Sequence, residues 1–243
     1  MSTSTARAAR AGAVLLLLSA VTYFVCEAIA AAAWHHPPYS YAHNYISDLG
    51  VPGPPSVLMG RAIDSPLAVV MNVGGFIGHG VLFLLAVLLL APLVTPRLAA
   101  RWRVVALVLA VLHAAGIVMV GVVHGSAYSI AHGLFVYHST GANLAIVGGN
   151  LLSIVVGAAA RRRGAPRWFA VISVVLGVLG FVSLGLLALR TSVPDGIFER
   201  GAVYSIFAWD LFAGAVLLRV RPAEPSSRSA PVAPSQLAAP QLP

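Results

Sequence analysis

Six blocks of almost unbroken Ala, Val, Leu, Ile and Gly divide the chain, near residues 12–33, 67–92, 104–123, 139–160, 168–189 and 201–220. Crossing ~30 Å of hydrocarbon takes about 20 helical residues, so each block is long enough to span a bilayer. Lipid offers the backbone no hydrogen bonds, which requires every span to be a helix. The composition leaves no soluble alternative: 59% of residues are hydrophobic and 9% charged, against roughly 25% charged in a soluble domain. The sequence therefore predicts an all-α, polytopic integral membrane protein, a single six-helix transmembrane bundle over residues 12–220. A short segment, 1–11, precedes it, and an outer loop, 34–66, joins the first two spans. The Pro/Ala/Ser-rich residues 221–243 are expected to form a disordered tail. The first block also resembles a signal peptide, but its length and the internal Tyr23 and Glu27 favour a retained helix. Cys26 is the single cysteine, so no intramolecular disulfide can form.

Every basic side chain is arginine. Arg7 and Arg10 precede the first span, Arg97, Arg101 and Arg103 link spans two and three, and Arg161, Arg162, Arg163 and Arg167 link four and five. Arg219, Arg221 and Arg228 follow span six. These twelve fall on one side, leaving Arg61, Arg190 and Arg200 opposite. The positive-inside rule then puts both termini in the cytoplasm and the protein in the cell membrane. Trp102 and Trp168 are expected at the inner interface and Trp34 at the outer one. The net charge of +8 is thus accounted for by topology and implies no nucleic-acid partner.

Most acids and histidines gather on the other side, or within spans. Glu27, His79, His113 and Asp210 lie inside the apolar blocks, on four different helices. An ionisable group there costs about 2.5–3.5 kcal/mol for Asp at the centre, and by default faces the bundle interior. Asn72, Gly75 and His79 share a face of span two, and Ser139, Asn143, Asn150 and Ser153 a face of span four. Gly74 and Gly78 suit close helix approach. Span five, with no ionisable group, is expected at the periphery. Zinc is conceivable on His79, His113 and Asp210, or on the outer His124 and His138. The chain has no HExxH, no cysteine cluster and no His pair at i,i+3 or i,i+4, so no cofactor is expected.

The outer loop contains "HNYISDLGVPGPP", with "YHSTGAN" heading span four and "ERGAVYSIFAWD" heading span six. These segments resemble the bacterial and archaeal family catalogued as domain of unknown function 998. The Ile-Ser-Asp-x-Gly run followed by paired prolines is also remotely similar to DRAM- and Frag-type membrane proteins, and that resemblance implies a role among membrane lipids. Read from the residues alone, Asp48 and Ser47 suit caps, Gly50 and Gly53 suit turns, and Tyr39, Tyr41 and Tyr45 suit the headgroup level.

The first expectation is a protein that binds or handles a lipid or lipid-linked headgroup in an outward-opening polar pocket. Glu27, His79, His113 and Asp210 would line it, with Asn44, Ser47, Asp48, His138, Glu199 and Arg200 at its mouth. Three alternatives stand beside it: a metal-dependent membrane hydrolase acting on lipids, a small transporter or channel with Glu27 and Asp210 as proton relay, and a structural assembly partner. Whether the protein is an enzyme is left open.

Overall fold

A computed structural model describes residues 3–94 and 99–219. The expected tail at 221–243, and with it Arg221, Arg228 and Glu224, lies outside the described residues, as does Arg97. Seven α-helices occur among the described residues: α1 (Thr3–Ala32), α2 (Gly78–Val94), α3 (Ala100–Val122), the short α4 (Ala127–Ala131), α5 (Phe135–Arg162), α6 (Arg167–Ala188) and α7 (Asp195–Arg219). A π-helical segment, Val70–Ile77, runs into α2. Six helices are long and apolar enough to cross a membrane; α4 is not among them.

Each spanning helix packs on the next in chain order, α1 on α2, α2 on α3, α3 on α5, α5 on α6 and α6 on α7. Then α7 returns onto α1, closing a ring. Small residues set the tightest seams. A Cβ on Gly116 of α3 would sit 2.5 Å from the Ala145 nitrogen and 2.6 Å from the Gly141 carbonyl of α5, so only glycine permits that approach. As expected, α6 is the most lipid-exposed span, with 22% of its central window buried against 39–50% in the others.

Several local features differ from expectation. Helix α7 begins at Asp195 rather than near 201, because Asp195 in the first turn favours a helix N-terminus where the apolar pattern gives no signal. Helix α1 likewise starts well before residue 12. The outer loop is not all turn: Ile46–Gly50 forms a 3₁₀ turn, and Ser56–Leu58 (β1) pairs antiparallel with Arg61–Ile63 (β2). Met59 (φ 48°) and Gly60 (φ 79°) make the two-residue reversal, the positive-φ pair that hairpins need. Asn143 is exposed while Asn150 and Ser153 are buried, so the polar stripe of span four faces inward only along its second half. Gly80, rather than Gly78, makes the close approach to α3, against Val118 and Ala114. Trp34 is no interfacial anchor; it is buried against Tyr39.

Candidate functional site

The polar residues form one layer at the loop end of the ring, and the layer is bonded to itself. Asp48, buried within the 3₁₀ turn, accepts from the Tyr45 N–H at 2.9 Å and from Arg61 through both oxygens, at 2.8 Å (Nε) and 3.0 Å (Nη2). The same carboxylate thus caps the turn and ties it to β2. Arg61 also lies 4.1 Å over the Tyr45 ring. Asn44 donates to the Ala62 carbonyl at 3.2 Å, and Ser65 to that of Leu49 at 2.5 Å. Ser47 sits on the inner wall of this turn.

The early start of α7 delivers Glu199 and Arg200 to this layer on a helix rather than a loop. Glu199 Oε2 accepts the Ile46 N–H at 2.5 Å. Arg200, buried, donates from Nη1 to the carbonyls of Tyr41 (2.7 Å), Asn44 (2.8 Å) and Gly196 (3.2 Å). Its Nη2 donates to the Tyr39 hydroxyl and to Glu27 Oε1 at 3.3 Å. Glu27 also accepts from Tyr204 at 2.7 and 2.8 Å. Sequence reasoning set Glu27 and Arg200 in one site without pairing them; the ion pair was hidden because its partners lie 173 residues apart. Tyr204 was missed altogether, since a Tyr in an apolar span reads as core.

Electrostatics in the loop follow from this packing. Burial, then the bond to Asp195 Oδ2 at 2.9 Å, pushes the Tyr45 hydroxyl up to about 12. Burial also raises Tyr39, against the pull of Arg200. For Arg61 burial works downward, but the Asp48 bonds outweigh it and raise the net value. Burial lowers His124.

Deeper, His79 and His113 meet Nε2 to Nε2 at 3.0 Å, enclosed by Tyr23, Phe83 and Phe207. His113 Nδ1 faces the Ala145 carbonyl at 2.8 Å. A carbonyl can only accept, so Nδ1 carries the His113 proton and Nε2 receives one from His79. A cavity of about 50 Å³ separates this pair from the turn above, with His113, Ser47 and Glu199 among its walls. His138 is apart, bonded to the Val123 carbonyl at 2.7 Å. Both oxygens of the buried Asp210 lack a hydrogen-bond partner among the described residues. No group of three or more His, Cys, Asp or Glu side chains placed to hold a metal ion occurs among the described residues, so His79, His113 and Asp210 are not brought together as one such cluster.

The large cavity lies at the opposite, arginine-rich end. There the six helices diverge around about 670 Å³, walled by side chains such as Phe83, Leu90, Ala110, Leu152, Trp209 and Ala213. Its rim is the α5–α6 turn with Arg163 and Trp168, and Arg219 at the end of α7. Gly164, at φ 86°, allows that turn to leave α5 sharply.

The match to the family model described as a protein of unknown function, DUF998, extends over residues 17–217 and so takes in all six spans and both ends of the ring. The chain belongs to the DUF998 family. Neither a curated protein nor a solved structure matches it, and the resemblance to DRAM- and Frag-type proteins has no counterpart there. Two of the segments singled out in the sequence build the self-bonded layer: "HNYISDLG" forms the turn, and "ERGAVYSIFAWD" supplies Glu199, Arg200 and Tyr204, while "YHSTGAN" carries the separate His138.

Proposed function

We propose that this DUF998 protein binds a membrane lipid by taking an acyl chain into the ring at its arginine-rich end. The observation that carries this reading is the apolar, half-open cavity of about 670 Å³ lined by residues of all six spans, a size within the roughly 300–1,000 Å³ of ligand pockets. The loop end supports a different role. Its carboxylates and guanidiniums engage one another, and its cavity of about 50 Å³ has room for a few waters only. Asn44, Ser47, Asp48, Glu199 and Arg200 therefore serve as a cap that holds α1, α7 and the hairpin together, and the lipid enters from the other side. The positive-inside asymmetry makes that side cytoplasmic.

A single-chain phospholipid carrying a photoreactive diazirine at the end of its acyl chain tests this in reconstituted vesicles. Labelling is expected at Ala110, Leu152 and Trp209 inside the ring. Labelling confined to outward positions such as Val108 and Val178 would refute it.

A second reading, proton-coupled transport, is favoured by the histidine pair. With the proton arrangement above, His79 Nδ1 is an acceptor with no donor among the described residues. Uptake into proteoliposomes that depends on a pH gradient and is lost in His79→Gln would raise this reading above the first.

A further inference from the structure

Resting on the lipid-binding reading, we infer that the occupant is a single-chain lipid with an anionic phosphate headgroup, its chain in the cavity and its phosphate between Arg163 and Arg219. Volume decides the number of chains. If a methylene takes about the ~30 Å³ that water takes in the liquid, a sixteen-carbon chain needs roughly 480 Å³ and two need roughly 960 Å³. The cavity, about 670 Å³, admits one.

Depth agrees. From Leu152 at the inner wall to Arg163 at the rim is eleven residues of α5, or ~16 Å at 1.5 Å per residue. That is about half of the ~30 Å hydrocarbon core, the reach of one leaflet. Apart from the two arginines the described residues of the walls carry no ionisable group, so a chain there meets the environment it leaves.

Charge decides the headgroup. Arg163 and Arg219 both line the mouth and are exposed. Of the arginines at this end, only these two line the cavity among the described residues, and Arg101 and Arg162 lie over the Trp102 ring, at 5.8 and 5.5 Å. Among the described residues every acid stands in the loop-side half or within a span, and none lines this mouth. Two guanidiniums at a rim with no acid among the described residues suit a phosphate in forked geometry, where Lys would offer only a point charge. Trp168, half-exposed beside them, gives the amphipathic surface that a headgroup–chain junction meets.

Native mass spectrometry of the full chain in a neutral detergent tests the inference with three probes. These are palmitoyl lysophosphatidic acid, its dipalmitoyl counterpart, and monopalmitoylglycerol, which has the chain without the phosphate. The lysophosphatidic acid is expected to bind about thirtyfold more tightly than the monoacylglycerol and to exclude the diacyl lipid. Arg163→Gln/Arg219→Gln should erase the preference for phosphate while leaving monoacylglycerol binding intact. Leu152→Trp, or Val156→Trp if the first variant loses its native melting transition, should remove binding of all three. Equal binding of lysophosphatidic acid and monoacylglycerol, or equal occupancy by the diacyl lipid, overturns the headgroup or single-chain claim while the cavity reading stands. Absence of all three from the unaltered protein overturns the cavity reading itself.

Discussion

A carboxylate buried at 2% exposure needs partners that replace water, and Asp48 has them in the Tyr45 N–H and the Arg61 fork. Removing one charge from such a pair leaves the other stranded, at about 3–5 kcal/mol. Asp48→Asn should therefore lower the melting temperature of the detergent-solubilised protein sharply, by an amount corresponding to about 3 kcal/mol, and Asp48→Asn/Arg61→Met should recover part of the loss. If Asp48→Asn melted like the unaltered protein, the cap role would fail. Tyr45 gives a pH test. Its folded value of about 12 exceeds its ordinary 10. Its stabilisation is therefore complete below pH 10 and lost as the pH rises through 12, because the unfolded chain ionises first. The alkaline fall in melting temperature between pH 9 and 11 is expected to be shallower in Tyr45→Phe.

At the scale of elements, the seams between helices depend on absent side chains. A Cβ on Gly180 of α6 would run into the Asn150 side chain. That amide donates to the Ile146 and Ala202 carbonyls, both at 2.9 Å, and accepts from Ser205 at 2.9 Å. These bonds join α5 to α7, and α6 packs directly on the same amide at Gly180. Gly180→Ala is expected to cost about 1–3 kcal/mol as overpacking, read as a lower melting midpoint, whereas Gly185→Ala, with open space around it, should be silent. The spans themselves were legible because twenty apolar residues have one fate in lipid. Their ends were not. Helix α7 gains about a turn and a half of mixed residues carrying Asp195, Glu199 and Arg200, and the hairpin turns on Met59, a residue type that turn chemistry does not single out.

At the scale of the molecule, the ring closes at one end around polar contacts and opens at the other around an apolar void. The sequence pointed to the first because Asp48, Glu199, Arg200 and Glu27 stand out among aliphatic neighbours. It gave no hint of the second, because a cavity wall of Leu, Ala and Phe has the composition of any packed span. The most direct measurement of an acyl chain in the ring is Trp209 fluorescence, since this indole lines the cavity, its Nε1 bonded to Ser173 at 3.0 Å. The protein is reconstituted in unlabelled bilayers with a lysophospholipid brominated near its chain end, and its quenching is compared with that of Trp209→Phe. An acyl chain in the ring predicts quenching that Trp209→Phe removes in large part; equal quenching of both proteins, arising from Trp34, Trp102 and Trp168 alone, would contradict it.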